Sequence, residues 1–210
     1  MALPNLPRLN TTLAARVSIT ALCTSLMTGC APLLVGGAAV GGAFVVTDRR
    51  SSGVQLEDET LELKAGQRIR ATVGERSHVN VTSYQRQVLL TGEVYNEADK
   101  AAIEATVGKI DGVKSVVNEL AVMWPSSTSE RSRDLLLAGK IKATFVDAAG
   151  LQANAFTVVT ERGVVYLMGR VTEEEATRGI DLARAVPGVV KVVRLVEVIT
   201  PEQLRNIKGR

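Results

Sequence analysis

Few side chains in this 210-residue sequence can carry out chemistry. It has one histidine, His78, and two cysteines, Cys23 and Cys30. A serine–histidine–aspartate site would have to use His78, but no nucleophile motif surrounds it, and a polar residue near the start of a strand is the simpler interpretation. No segment has the spacing of a metal site or of a phosphate-binding loop. We therefore expect neither an enzyme nor a bound metal or cofactor, which leaves the cysteines.

Cys30 stands at the end of the run Leu26-Met27-Thr28-Gly29-Cys30, directly after an apolar stretch. Two arginines and no acidic residue precede that stretch, so the order is basic, apolar and then small, as in a secretory signal. A cysteine just after the cleavage position resembles the bacterial lipobox. The resemblance implies that residues 1–29 are removed, that Cys30 is acylated and, because Ala31 follows it, that the protein is sorted to the outer membrane.

The same region could instead be a transmembrane signal anchor. No charge occurs from Val17 until Asp48, and this length is sufficient to span a bilayer. Pro32 and several glycines make the stretch a poor continuous helix, and the lipobox also explains why a cysteine stands there. We therefore interpret residues 30–53 as an acylated cysteine followed by a flexible tether rich in Gly and Ala.

An internal repeat dominates the rest of the chain. Residues 79–94 align with residues 156–171 without a gap, their apolar positions coincide, and Gly92 falls on Gly169. Each copy alternates apolar and polar residues in two runs around a turn, which is the pattern of a hairpin of strands. The repeat therefore predicts two domains of the same fold.

Helical periodicity flanks the hairpin in both copies. Asn96 can cap a helix in the first copy, and Thr172 can cap its counterpart in the second. A further helix precedes each hairpin, and a strand closes each copy. The predicted fold class is α+β, with two tandem αββαβ domains, each a small three-stranded mixed sheet covered by two helices.

This unit, with a glycine in its second strand and Gly-Val before its last strand, resembles the BON domain (bacterial OsmY and nodulation). Residues 80–84 and 88–92 carry much of the resemblance. Two such domains behind a lipobox resemble the dual BON-domain outer-membrane lipoproteins. The resemblance implies a periplasm-facing, lipid-anchored protein that binds anionic phospholipid (phosphatidylglycerol or cardiolipin) and supports the integrity of the outer membrane.

These signals divide the chain into segments. The predicted segments are a signal peptide at 1–29, the acylated cysteine and tether at 30–53, the first domain at 54–124, a linker at 125–132, the second domain at 133–200 and a polar tail at 201–210. Residues 54–124 carry a net charge of −3, whereas residues 130–210 carry +3. This asymmetry favours the second domain as the part that meets an anionic partner. The sequence has no basic run and only 3% aromatic residues, so we do not expect nucleic acid to be that partner.

The first helix of the second domain is where we predict lipid binding. Its core stripe is Leu137, Ile141 and Phe145, at helical spacing. Leu136 lies off that stripe, and the repeat aligns it with Lys64, a residue that is rarely buried. An exposed leucine flanked by bases is typical of a helix that binds a membrane interface. The predicted lipid-binding residues are Arg133, Leu135, Leu136, Lys140 and Lys142.

Alternatives remain open from the sequence. Leu135 and Leu136 could pack on the first domain instead of facing a membrane, since exposed apolar patches mark both kinds of contact. Trp124, at the end of the first domain, could be an interface aromatic, but packing between the domains is the favoured interpretation. For function, the alternatives to lipid binding are a protein-binding adaptor or chaperone for the outer-membrane assembly machinery, and an envelope scaffold that binds cell-wall or division-site components.

Overall fold

The computed structural model describes residues 48–74 and 77–208. These residues belong to one compact unit, Thr47–Arg210. Cys30, the predicted signal peptide and most of the predicted tether lie outside the described residues.

The first domain has the predicted order of helix, strand, strand, helix and strand. Its elements are α1 (Ser52–Val73), β1 (His78–Tyr84), β2 (Gln87–Val94), α2 (Glu97–Gly108), β3 (Ser115–Asn118) and β4 (Ala121–Val122). The predicted closing strand is split into β3 and β4, and both run parallel to β2. Between them, Leu120 turns its side chain into the core.

The second domain repeats this order and has an uninterrupted closing strand. Its elements are α3 (Thr128–Asp147), a 3-10 turn (Ala153–Ala155), β5 (Phe156–Glu161), β6 (Val164–Val171), α4 (Glu173–Ala185) and β7 (Lys191–Val198). Helix α3 begins inside the segment predicted as a linker because Ser127 and Glu130 form a reciprocal capping box. A further helix, α5 (Pro201–Lys208), lies in the segment predicted as a polar tail.

Each sheet is mixed and carries its helices on one face, which confirms the predicted fold class. Strand β2 is antiparallel to β1 and parallel to β3, and β6 is antiparallel to β5 and parallel to β7. The helix-facing side of each sheet contributes to a separate hydrophobic core. Burial of these apolar side chains is the main stabilising contribution within each domain.

The glycine shared by the two repeats has a steric origin. Gly92 has a φ of +110°, and a Cβ at this position would clash with the carbonyl oxygen of His78 on the paired strand. Gly169 stands against the carbonyl oxygen of Ala155 in the same way. Only a residue without a side chain allows the two strands to approach so closely.

The second face of each sheet packs against the other domain. Along β2 and β6 successive side chains point to opposite faces, so Leu89 and Tyr166 point away from the helices and meet in a third apolar cluster with Tyr84 and Met168. The Tyr84 hydroxyl, in the β1–β2 hairpin, accepts a hydrogen bond from the amide of Arg170 at 3.2 Å. This contact joins the hairpin end of the first sheet to the carboxyl end of β6.

At the opposite end, a buried carboxylate joins the domains. Glu93 is fully buried at the carboxyl end of β2, and its oxygens contact Nη1 of Arg162 at 2.8 Å and Nδ1 of His78 at 3.0 Å. The amide of Ser126 donates to the same carboxylate at 3.1 Å. Burial acts to raise the pKa of Glu93, but the hydrogen bonds from Ser126, His78 and Arg162 outweigh it and hold that pKa below its usual value.

The end of the predicted tether is fixed to the second domain. Arg49 is buried and binds both carboxylate oxygens of Glu175, at 2.6 and 2.7 Å, as well as the carbonyl oxygen of Arg170. Arg50 packs over the ring of Tyr84 at 4.4 Å. The prediction of a flexible segment up to residue 53 is therefore wrong for its last residues, because two-pronged arginine contacts hold them in place.

Candidate lipid-binding surface

Helix α3 is oriented by its core stripe. Leu137, Ile141 and Phe145 are buried at intervals of four residues and fix which side of the helix faces the sheet. Because successive residues are about 100° apart around a helix, the side opposite this stripe points to solvent. That outward side therefore follows directly from the packing of the core.

The outward side of α3 is apolar over several turns. Leu135, Leu136 and Val146 are 76%, 65% and 70% exposed, and Gly139 and Ala143 lie between them with no polar side chain to offer. Single exposed apolar residues are ordinary, but three large ones on one face of one helix form a patch.

Basic residues border this patch on both edges. Lys140 is one turn beyond Leu136, and Lys142 is two turns beyond Leu135. One lysine therefore borders the Leu136 edge of the patch, and the other borders the Leu135 edge. Within residues 48–74 and 77–208, neither lysine forms an ion pair with a carboxylate. Both lysines are exposed and available to an external anion.

Part of the patch is the wall of a groove of about 590 Å³. Leu136 lines it together with Pro187 and Val190, and Val190 is 79% exposed. Its polar lining includes Arg133, Lys140, Arg162, Glu130 and Asp134. The structure thus brings together three of the predicted residues, Arg133, Leu136 and Lys140, and places Leu135 and Lys142 on the other edge of the outward side.

The two acidic residues of the groove are engaged by the protein itself. Asp134 accepts hydrogen bonds from the amides of Arg162 and Gly163 at 2.8 and 2.9 Å. Glu130 accepts hydrogen bonds from the Ser127 hydroxyl and amide, which lower its pKa and keep it ionised in the capping box. Both carboxylates therefore serve structural hydrogen bonds, one in a helix cap and one in a turn.

The first domain has the same groove with a different lining. It measures about 550 Å³ and includes Glu57, Thr60, Lys64 and Asp111. Because Asp58 binds the amides of the β1–β2 turn as Asp134 binds those of the β5–β6 turn, Asp58 and Asp134 occupy equivalent positions. The groove of the first domain is therefore an internal reference for that of the second.

This equivalence corrects the sequence alignment of the two helices. The structural counterpart of Leu136 is Thr60, and Lys64, which the sequence alignment gives, lies one turn further and corresponds to Lys140. The counterparts of Arg133 and Pro187 are Glu57 and Asp111. At these three positions the second domain has a basic or apolar residue where the first has an acidic or polar one, whereas both domains have a lysine at the fourth.

The exposure of the leucines bears on one of the alternatives that the sequence left open. Leu135 and Leu136 do not pack on the first domain, because most of each side chain is exposed to solvent. Trp124 does not pack between the domains either: it is 76% exposed and contacts Tyr95 instead. The expectation for Trp124 was wrong: its ring faces solvent beside Tyr95, while Ser126 in the adjoining linker reaches the domain contact at Glu93.

Sequence reasoning missed Pro187, Val190 and Arg162 as parts of the groove. A signal for Val190 was present: Gly112-Val113 is followed by Lys114, whereas Gly188-Val189 is followed by Val190. The second copy thus has an apolar residue, Val190, at an exposed position where the first copy has Lys114. Such a difference indicates that this surface has a different role in the two domains.

His78 lies at the domain contact, where it bonds to Glu93. Together with Glu93 and Glu161 it forms a group whose potential metal-ligand atoms lie within 4.8 Å of one another. Arg162 already places a positive charge on Glu93, and Asn80 donates to Glu161 at 3.0 Å. Hydrogen bonding accounts for this cluster, so we assign no metal to it.

No helix in residues 48–74 and 77–208 is both long and apolar enough to cross a membrane. The predicted lipidation site, Cys30, lies outside the described residues.

The fold and this surface define a class of protein: two αββαβ domains packed sheet to sheet, one of which exposes an apolar, base-edged helix. The sequence matches the BON domain family over residues 57–123 and again over residues 133–200. The chain therefore belongs to the BON domain family, as the resemblance predicted.

Individual relatives agree with this assignment. The chain is 35% identical over 174 residues to the outer membrane lipoprotein DolP of Haemophilus influenzae, a match that covers 82% of this chain and 90% of the relative. It is 27% identical over 154 residues to a 21 kDa hemolysin of Actinobacillus pleuropneumoniae, covering 72% and 79%. The similarity to an outer-membrane lipoprotein confirms the location predicted from the lipobox, a lipid anchor in the outer membrane.

A solved structure shows weaker similarity. CdsD, a structural protein of the type III secretion system of Chlamydia trachomatis, is 15% identical with a TM-score of 0.30, covering 70% of this chain and 98% of that chain. This similarity supports no statement about function.

Proposed function

We propose that this protein binds anionic phospholipid through the outward side of α3 and thereby supports the integrity of the outer membrane. The observation that carries the proposal is the contrast between the two equivalent helices. Helix α3 exposes Leu135, Leu136 and Val146 as a continuous stripe between Lys140 and Lys142. Helix α1 also exposes Leu56 and Leu63, but the polar residues Glu59, Thr60 and Gln67 interrupt them. An apolar stripe with basic edges is the chemistry of a helix that lies in a membrane interface.

The two parts of the surface contribute differently to binding. Each lysine near an anionic surface is expected to add about 1 kcal/mol, and this part weakens as salt screens the charges. Each leucine adds up to about 1.5–3 kcal/mol if it is fully buried among the lipids, and this part is insensitive to salt. Anionic lipid is therefore preferred over zwitterionic lipid, and most strongly at low salt.

The anchor on Cys30 makes modest docking sufficient. Acyl chains on this cysteine hold the domains at the membrane, so docking of α3 is an intramolecular event at an effective concentration in the millimolar range. A weak intrinsic affinity then keeps the second domain on the bilayer. The role of the protein is binding, and none of its described residues needs to catalyse a reaction.

The proposal is tested by co-sedimentation of the unit Thr47–Arg210 with vesicles. This unit is compact and contains both hydrophobic cores, so it can be studied without the anchor. We expect sedimentation with phosphatidylglycerol or cardiolipin vesicles at low salt, and much less with phosphatidylcholine vesicles. Absence of binding to any vesicle at low salt would contradict the proposal and favour a protein partner.

A further inference from the structure

The first domain exposes an aromatic cluster that the lipid-binding proposal does not use. Tyr95, Met123 and Trp124 are 38%, 47% and 76% exposed. The rings of Tyr95 and Trp124 meet edge to face, with their centroids 5.1 Å apart. Aromatic residues that pack on each other and still face solvent form an apolar surface of fixed shape.

The cluster is held in place by the sheet. Tyr95 directly follows the last residue of β2, and the amide of Met123 donates to the carbonyl oxygen of Val94 at 2.9 Å. Two residues after Trp124, Ser126 is fixed by hydrogen bonds from its amide and hydroxyl to Glu93. Both sides of the tryptophan are thus tied to the end of one strand, so the ring loses little conformational freedom on binding.

A short series of contacts connects this cluster to the groove of the second domain. Ser126 bonds to one oxygen of Glu93, the other oxygen of Glu93 bonds to Arg162 at 2.8 Å, and Arg162 lines the groove beside Leu136. Trp124 is two residues, at most about 7 Å of chain, from Ser126. The aromatic cluster therefore lies at the same end of the molecule as the groove.

We propose that Trp124 and Tyr95 enter the headgroup region of the same bilayer that α3 contacts, so that the docking surface spans both domains. Tryptophan and tyrosine favour this depth because their rings are apolar while the indole N–H and phenol O–H still reach water. This inference rests on the proposed function, since it requires the second domain to dock.

The contribution of the cluster is apolar and not electrostatic. Glu97, on the first turn of α2, is exposed close to Tyr95 and does not favour an anionic surface. Because it lies at a helix N-terminus, the helix dipole offsets part of its charge. Binding through Trp124 is therefore expected to respond little to salt, unlike binding through Lys140 and Lys142.

Trp124 provides its own test because it is the one tryptophan of the chain. The unit Thr47–Arg210 is titrated with phosphatidylglycerol vesicles, and tryptophan emission and acrylamide quenching are recorded on samples whose sedimentation is also measured. We expect a blue shift of the emission and a loss of acrylamide quenching that follow the bound fraction. Vesicles with brominated acyl chains should quench the emission.

The outcomes separate this inference from the proposed function. Protein that sediments with the vesicles while Trp124 stays as open to acrylamide as in solution would overturn the two-domain surface and leave docking by α3 intact. Protein that does not sediment would overturn both.

A substitution gives an independent check. Trp124→Ala should weaken binding roughly fivefold to thirtyfold at both low and high salt, because it removes a large apolar group. Leu63→Ala is the matched control: Leu63 is 69% exposed on α1, outside the groove of the first domain, and its loss should leave vesicle binding unchanged. Equal effects of the two substitutions would contradict the inference.

Discussion

The substitution Leu136→Glu tests the lipid-binding surface at its centre. It removes an exposed apolar group from α3 and places a negative charge one turn from Lys140. Leu136 is 65% exposed, so insertion can gain only about two-thirds of the 1.5–3 kcal/mol for full burial of a leucine, or roughly 1–2 kcal/mol. Repulsion of the new charge from anionic lipid adds about 1 kcal/mol. The expected total of about 2–3 kcal/mol corresponds to a loss of affinity of roughly 30- to 150-fold.

Thr60→Glu provides the matched control. Thr60 occupies the equivalent position in the groove of the first domain. Thr60→Glu therefore adds the same charge to the same fold at a position that is not expected to contact the bilayer. Both variants are compared with the wild type by vesicle titration of the unit Thr47–Arg210 at low salt. Urea unfolding should show changes within about 0.5–1 kcal/mol for both, because neither position is buried in the core.

Two outcomes would contradict a role of α3 in membrane binding. If both variants lose affinity equally, general charge repulsion explains the loss and α3 has no special role. If Leu136→Glu binds vesicles like the wild type while remaining folded, the outward side of α3 is not in the bilayer.

Further predictions concern the domain contact, the fold and the salt dependence. Burial raises the pKa of Glu161, so the folded state binds this proton more tightly than the unfolded chain does. The contribution of Glu161 to stability therefore falls as the pH rises above the usual carboxyl pKa. In urea unfolding at pH 7, Glu161→Gln should be at least as stable as the wild type. The pKa of Glu93 is lowered, so its contribution to stability is present above the usual carboxyl pKa and is lost as the pH falls through the lowered value. Glu93→Gln should lower the free energy of unfolding by about 2–3 kcal/mol at pH 7 and by less in acid. An equal loss at both pH values would contradict this role of Glu93. Gly92→Ala should lower the free energy of unfolding by roughly 2–4 kcal/mol, because alanine there meets both an unfavourable φ and a backbone oxygen; a loss within about 0.5 kcal/mol would show that the strands can separate. Replacing Lys140 and Lys142 together by glutamine should weaken vesicle binding roughly thirtyfold at low salt and hardly at high salt, whereas an equal loss at both would show that the lysines do not act through charge.

Much of the fold could be predicted because its signals are local. The caps at Asn96 and Thr172 and the turn after Tyr84 lie where the sequence patterns place them, since capping and turn chemistry depend on a few neighbouring residues. Helical spacing placed Leu136 off the core stripe, but the sequence left open whether it packs on the first domain. The internal repeat predicted that the chain has two domains of the same fold, because both copies have the same periodicity.

Contacts between distant residues could not be predicted in this way. The face of β2 and β6 that carries Leu89 and Tyr166 is apolar in both domains, but nothing in the sequence says that these faces meet each other.

The sequence alignment of the two first helices was off by one turn for a related reason. The core stripe of α1 consists of Leu61, Ala65 and Ile69, which recur every four residues, so a shift of four residues still places apolar residues on apolar residues. The register is fixed instead by Asp58, whose carboxylate accepts hydrogen bonds from the amides of the β1–β2 turn. That contact joins residues far apart in the chain, and periodicity alone does not reveal it.

The most direct test of the central claim maps the bilayer contact residue by residue. Amide signals of the isotopically labelled unit Thr47–Arg210 are recorded by NMR with and without bicelles containing phosphatidylglycerol. We expect loss of intensity along the outward side of α3, centred on Leu135 and Leu136, and no comparable loss along α1. Loss of intensity on α1 equal to that on α3, or confined to surfaces outside α3, would contradict this expectation.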